Sequence, residues 1–258
     1  KPDAIIDAAA KVGGIYANNK YPYEFLLNNM LIQNNLISSA HNLNISKFIF
    51  LGSSCIYPRK SPQPIKEDYL LKNELENTNQ WYAIAKISGV KLIESLRRQY
   101  SRDYVSLMPS NLYGPRDNFD LKSSHVIPAL IRKIHEAKEN NKEVNIWGTG
   151  SPRREFLFVD DLAYAIKFVL ENRMKEHLYN VGYGSDISIS ELVKIIMKII
   201  NYNGKLIWDK DMPDGTPKKL MDSSKLNSMG WRKTIDLKEG INLTYNWFIE
   251  NKKNILDN

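Results

Sequence analysis

KFIFLGSSCIYP, residues 47–58, decides the fold. Lys47-Phe-Ile-Phe-Leu-Gly52 reads as an apolar strand running into a polar turn, so Ser53 and Ser54 fall at the strand's carboxyl end. Upstream, Ala4-Ile-Ile-Asp-Ala8 reads as a buried strand and Tyr23–His41 as an amphipathic helix. Downstream, Trp81–Tyr100 reads as a helix and Asp103–Met108 as another strand. Strands alternating with helices predict βαβ units and a parallel sheet, an α/β fold. Ligands of such sheets gather beyond the carboxyl ends of the strands, here the segments after Gly52 and Met108.

Past about residue 115 the pattern changes. A helix is expected over His125–Asn140, strands at Val144-Asn-Ile-Trp147 and Phe156-Leu-Phe-Val159, and a helix over Asp161–Asn172. Ser188-Ile-Ser-Glu191 has the spacing of a capping box opening a helix through Ile200. These segments predict a smaller C-terminal α/β lobe, interleaved with the end of the sheet domain. The division is residues 1–120 and 121–258.

The 258 residues are 43% hydrophobic and 25% charged, an ordinary balance for a chain with a sizeable core. No apolar run is long enough to span a membrane, and the first residues carry no leader pattern. Cys55 stands alone, which excludes an internal disulfide and predicts a reducing, cytoplasmic setting. The four histidines show no metal-ligand spacing with Cys55, so no metal is expected. The net charge of +7 is dispersed, and a solvated surface explains it best. A site for an anionic ligand such as a nucleotide diphosphate is the sharper reading. Nucleic acid is the weakest, because no nucleic-acid motif accompanies the charge.

Tyr82-Ala-Ile-Ala-Lys86 opens a predicted helix, and its ends share one face. A neighbouring ammonium favours the phenolate, so Lys86 is expected to lower the Tyr82 pKa and make the phenol a proton donor or acceptor near neutral pH. A surface Tyr–Lys pair is the bland alternative. Ser53 and Ser54 after their strand can hydrogen-bond a carbonyl oxygen, or simply form the turn. Cys55 is otherwise a small buried hydrophobe, and His125 a polar residue at a helix start. Ser, Tyr and Lys so placed resemble the triad of short-chain dehydrogenase/reductases, which implies a sheet of the Rossmann type.

The longer strings narrow this. GSSCIYP, YAIAK, MPSNLYGP followed by DNF, SHVIPALIRK, WGTGSPRREFLFVDDLA and PDGTPKK, with AAAKVGGIYANN near the start, follow one another as in the GDP-fucose synthases. The chain resembles that family over essentially its whole length. The resemblance implies NADP(H) as cofactor and a GDP-sugar as substrate, with 3,5-epimerisation preceding reduction at C4. It implies Ser53, Tyr82 and Lys86 as the reductase triad and Cys55 with His125 as the epimerisation pair. Cofactor contacts implied are Leu51, Gly52, Ser53, Ser54, Lys86, Pro109, Ser110, Asn111, Leu112 and His125. Substrate contacts implied are Lys133, Trp147, Arg154 and Asp214. Arg154 suits a pyrophosphate, since its planar fork matches phosphate oxygens. Trp147 suits stacking at the nucleotide or packing in a core. The family also implies a homodimer built on helices like Tyr23–His41 and Trp81–Tyr100.

One family feature is absent from these residues. No G-x-x-G-x-x-G occurs among the 13 glycines, so the usual pyrophosphate cradle has no counterpart. Compared with the family, roughly fifty residues, a βαβ unit and more, are expected to precede Lys1. Two other readings compete: a related nucleotide-sugar 4-epimerase or dehydratase, and a non-catalytic GDP-sugar-binding chain. Cys55, His125 and PDGTPKK speak against the former; the absent glycine loop supports the latter.

Overall fold

A computed structural model describes residues 1–121, 123–212 and 214–256. In chain order it begins β1 (Ala4–Asp7), α1 (Ile15–Lys20), α2 (Pro22–Asn42), β2 (Lys47–Leu51), α3 (Gln80–Tyr100), β3 (Asp103–Pro109) and β4 (Asn111–Tyr113). Next come α4 (Val126–Glu139), β5 (Val144–Trp147), β6 (Arg153–Arg154), β7 (Phe156–Phe158), α5 (Val159–Glu171) and β8 (Leu178–Val181). Last are β9 (Ile187–Ser188), α6 (Ile189–Ile200), β10 (Leu206–Asp209), β11 (Lys218–Lys219), α7 (Ser224–Ser228) and α8 (Leu237–Leu256). The chain divides into two compact units. One holds Lys1–Ser110, Leu162–Gly184 and Met221–Arg232, the other Asn111–Asp161, Ser185–Leu220 and Lys233–Asn258.

The first unit is built on a parallel sheet in the order β1-β2-β3-β8. The crossovers α2 and α3 return the chain between parallel neighbours and pack side by side. Four of the five β2 residues and six of the seven β3 residues are buried, as continuous apolar runs in parallel sheets require. The core joins Phe48, Phe50, Val90, Ile93, Tyr104 and Met108. Register places Asp7 of β1 opposite Phe50 of β2, so the carboxyl ends of these strands lie side by side. Gly52 follows at the tip. A Cβ there would meet the end of the Met108 side chain, so glycine lets the turn lie close to β3 without displacing that thioether.

The turn after β2 is tied down behind the serines. Tyr57 Oη donates to Asn180 Oδ1 at 2.6 Å, and Asn180 Nδ2 donates to the Ile65 and Asp222 carbonyls. Asn180 N also donates to the buried Glu67 carboxylate. Burial pushes the Tyr57 phenol well above its ordinary value, and Glu67 adds to the rise. Asn180→Leu strips the phenol and two carbonyls of their buried partner. We expect a loss of about 3 kcal/mol, read as a lowered urea midpoint at constant slope.

The second unit is also α/β. It contains the parallel pairs β5–β10 and β4–β7 and the three-stranded β11-β6-β9. α4, α6 and α8 pack a core of Ile131, Ile134, Phe156, Val193, Ile196 and Phe248. The expected capping box is present: Ser188 Oγ accepts from Glu191 N, and Ser188 N donates back to the Glu191 carboxylate. α5 begins at Val159 rather than Asp161. Asp160 and Asp161 occupy its first turn, where acidic groups complement the exposed amides. Asp161 also takes hydrogen bonds from Thr234 N, Thr234 Oγ1 and Ile235 N.

Candidate active site

In the first unit the structure brings Ser53, Cys55, Tyr82 and Lys86 together beyond the end of β2. Ser53 caps the short 3-10 turn Ser54–Ile56, its Oγ accepting from Cys55 N at 3.2 Å, so the turn-forming role is real. The same side chain hydrogen-bonds the Tyr82 phenol. Tyr82 stands in the first turn of α3, and Lys86 follows one turn later with its Nζ 5.9 Å from the Tyr82 ring centre. The aromatic ring rests edge-on against Phe25, at 6.4 Å between centroids.

The expected electrostatics of the pair needs correction. Burial pushes the Tyr82 phenol well above its ordinary value, the nearby Cys55 charge raises it further, and only the Ser53 hydrogen bond opposes them. Lys86 does not set the phenol, because its ammonium is spent elsewhere. Lys86 is 2% exposed, donates to the Leu51 carbonyl at 2.9 Å and sits 4.6 Å from the Phe50 ring centre. Burial lowers its pKa to about 8, with the charge of Asp7 pulling the other way. Tyr82 is therefore held protonated, a donor rather than an acceptor.

Two residues here carried no signal in the sequence reading. Asn79, next to the start of α3, directs its Nδ2 to Cys55 Sγ at 3.4 Å, while its Oδ1 is buried without a partner. Asp7 is 1% exposed at the end of β1, one carboxylate oxygen accepting from Ala9 N at 3.1 Å and the other buried without a partner. Neither belongs to a recognisable spacing, and their neighbours are set by folding alone. Cys55 itself is partly exposed, unlike a core hydrophobe.

Along the expected cofactor path, Leu51 and Gly52 are half-buried and Ser54 is buried. Pro109 and Ser110 are buried at the end of β3. Ser110 N donates to the Val181 carbonyl, and its Oγ is buried with no partner. A buried Lys86, an orphaned Ser110 hydroxyl and a glycine-tipped turn fit the nicotinamide and ribose end of a dinucleotide. The other end has no counterpart among these 258 residues, which contain no G-x-x-G-x-x-G.

The second unit holds the remaining predicted residues. Asn111 Nδ2 donates to the Glu155 carbonyl at 2.8 Å, which fixes β4, and Leu112 is half-buried beside it. His125 occupies the N-cap position of α4, but its side chain makes no capping bond and is exposed. Burial raises the Asp117 carboxyl, and the Asn118 amide and then the charge of His125 oppose that rise. Trp147 is 57% exposed, which excludes the core reading, and Lys133 Nζ lies 5.1 Å from its ring centre. Burial lowers the Lys133 pKa. Arg154 donates to the Arg153 carbonyl, and Asp214 counters the downward pull of burial on its guanidinium.

Asp214 is tied to the loop that follows Trp147. Its Oδ1 accepts from Thr149 N and its Oδ2 from Thr149 Oγ1, both at 2.7 Å. Gly148 has φ +80°, and a Cβ there would strike the same carboxylate. Asp214 thus shapes the loop after Trp147. Pro213, the first residue of the PDGTPKK string, lies outside the described residues. Among the described residues no group of three or more His, Cys, Asp or Glu could hold a metal ion.

A parallel α/β sheet carrying a Ser–Tyr–Lys set at its carboxyl edge defines a nicotinamide-dependent oxidoreductase of the short-chain type. Residues 1–182 match the NAD dependent epimerase/dehydratase family. The chain is 53% identical to GDP-L-fucose synthase 1 of Arabidopsis thaliana over 252 residues, covering 97% of this chain and 78% of the relative. It is 51% identical to the GDP-L-fucose synthase of Escherichia coli K12, covering 97% of this chain and 81% of that one. A GDP-L-fucose synthetase structure from Naegleria fowleri, bound to NADP, superposes with a TM-score of 0.89 at 28% identity, over 98% of this chain and 78% of that one. The chain therefore belongs to the NAD dependent epimerase/dehydratase family, and within it to the GDP-L-fucose synthases.

Proposed function

We propose that this chain converts GDP-4-dehydro-6-deoxy-D-mannose to GDP-L-fucose, with the chemistry assigned to residues of the first unit plus His125 and the GDP-sugar contacts to the second. The observation that carries it is the assembly of Ser53, Cys55, Tyr82 and Lys86 at one strand end. In the epimerisation, Cys55 and His125 act as base and acid. One breaks the C–H bond at C3 or C5, the electron pair passes to the C4 oxygen, and the other returns a proton from the opposite face. Asn79 Nδ2 orients the sulfur for this. Ser53 donates to the C4 oxygen as charge develops there. NADPH, when bound, supplies hydride to C4. Tyr82, kept protonated by burial, gives its proton to the C4 oxygen in that step. Lys86, already anchored in the fold, holds the nicotinamide ribose. Pro109, Ser110, Asn111 and Leu112 line the cofactor, and Ser110 Oγ gains its missing partner there.

Lys133, Trp147, Arg154 and Asp214 hold the GDP moiety. Arg154 matches the pyrophosphate as a planar fork, and the exposed indole of Trp147 offers a face to the base. Calorimetry on the chain as it stands tests both halves. GDP is expected to bind, and Trp147→Ala or Arg154→Ala to weaken it at least tenfold, about 1.4 kcal/mol. NADPH is expected to bind very weakly. Micromolar NADPH binding would refute the need for a glycine loop, and absence of GDP binding would refute the nucleotide assignment.

The working unit is a homodimer. Supporting this, Tyr23 and Leu31 of α2 and Trp81 and Ile84 of α3 expose apolar surface on helices that already pack together. The setting is cytoplasmic, in keeping with one unpaired Cys55. No helix of the described residues is long and apolar enough to cross a membrane.

A further inference from the structure

Lys86 is buried, so what keeps it charged matters to whatever it holds. Three things surround its ammonium: the Leu51 carbonyl at 2.9 Å, the Phe50 ring face at 4.6 Å, and the field of Asp7. The β1–β2 register explains the grouping. Asp7 stands opposite Phe50, the residue over whose ring the Lys86 ammonium lies, and Leu51, which accepts from that ammonium, is the next residue of β2, so strand pairing sets Asp7 beside the segment that Lys86 meets. Asp7 is 1% exposed with one oxygen unpartnered by any hydrogen bond. A carboxylate buried this way needs a compensating charge, and so does a buried ammonium. Each acts on the other: Lys86 lowers the Asp7 pKa against burial, and Asp7 raises that of Lys86.

We propose that Asp7 is a positioning residue, the buried counter-ion that holds Lys86 protonated and fixed at the carboxyl end of β2. Its consequence for turnover rests on the role of Lys86 in the proposed reaction; the charge interaction itself does not. Among other ionisable groups, the Tyr82 ring of α3 lies 5.9 Å from the Lys86 Nζ, and the charge of Cys55 in the turn after β2 acts on that phenol. α2 contributes only neutral amides, Asn29 and Gln33, to this buried region. Asp7 is thus the one carboxylate acting on Lys86 among the described residues.

Two measurements on the chain as it stands test this. In protein labelled with 13C-lysine, the Lys86 Cε signal, assigned through Lys86→Met, reports its titration directly. Asp7→Asn keeps the shape, and the Lys86 midpoint should move to lower pH by about one unit, a tenfold change in proton affinity. An unmoved midpoint overturns the proposal. The second is a double-mutant cycle read by thermal melting at pH 7. Asp7→Leu and Lys86→Met each strand a buried charge, whereas the double variant removes both. The double variant should melt above at least one of its parents, and a parent that fails to fold while the double variant folds supports the pairing equally. Additive losses overturn it. Should neither Leu variant fold, the Asn titration decides alone. In a form of the chain that carries the glycine loop, loss of turnover in Asp7→Asn with an unmoved Lys86 midpoint would refute the counter-ion, while a moved midpoint with unchanged turnover would leave the Asp7–Lys86 interaction intact and refute the part given to the Lys86 charge in the proposed reaction.

Discussion

Tyr82→Phe should cost at least 10²–10⁴-fold in reduction at C4 while leaving solvent-proton exchange at C3 and C5 intact. The measurement needs NADPH bound, so it is made in a form of the protein that carries a G-x-x-G-x-x-G segment ahead of Lys1. The substitution removes one hydroxyl and keeps the ring that packs against Phe25, so the fold has little to lose. What disappears is the donor that burial holds in its protonated form beside Ser53. The C4 oxygen then receives hydride-derived charge with no proton to meet it. Enolisation is spared because Ser53 still donates to that oxygen and because Cys55 and His125 move the carbon-bound protons. Loss of both activities together would show that the phenol also serves enolisation, and the division of labour would be wrong.

The second large effect concerns the epimerisation pair, and it is read without cofactor. Incubated with the 4-dehydro sugar in D₂O, the chain should wash deuterium into C3 and C5. Cys55→Ser should nearly stop this, because a hydroxyl in place of the thiol is a far weaker base near neutrality. Ser is close in size, and Asn79 Nδ2 can still donate to its oxygen, so thermal stability should hold. His125→Asn should behave differently. Deprotonation proceeds, but the proton is not returned on the opposite face, so exchange without inversion accumulates. His125 makes no capping bond at α4, and its replacement leaves the helix start as it was. Equal loss of wash-in for both variants would mean that His125 is a base as well, and full activity of Cys55→Ser would remove Cys55 from the chemistry.

Much of the fold lay in local pattern. The apolar run at Lys47–Leu51, the helical spacing of α2 and α3, and the Ser188–Glu191 box all rest on residues a few places apart, and each appears as read; Ala4–Asp7 is a strand as read but not a buried one, since Ile6 is 44% exposed and only Asp7 is buried. The Tyr82–Lys86 spacing is equally local, and it set both residues on one helix. What that spacing suggested about charge did not survive burial. A phenol and an ammonium one turn apart lower the phenol pKa only when the ammonium is free to face it. Here strand pairing offers Lys86 the Leu51 carbonyl and the Asp7 field, and the phenol is left to desolvation. Trp147 shows the same limit, since its sequence left both a stacking role and a core role open until the fold left it exposed.

By itself, then, the sequence determined the alternation of strands and helices from α2 to β3, the turn bearing Ser53 and Cys55, and the helix bearing Tyr82 and Lys86, while β8 of the main sheet and the long α8 were not read from it. These depend on periodicity, capping and turn chemistry, which act over one or two turns of chain. Only the tertiary structure decided which groups are buried and what each one faces: Asp7 against Lys86, Asn79 against Cys55, Asp214 against Thr149. Proton affinities follow burial and partners across strands and loops that meet only when the sheet closes, and no spacing along the chain encodes that meeting.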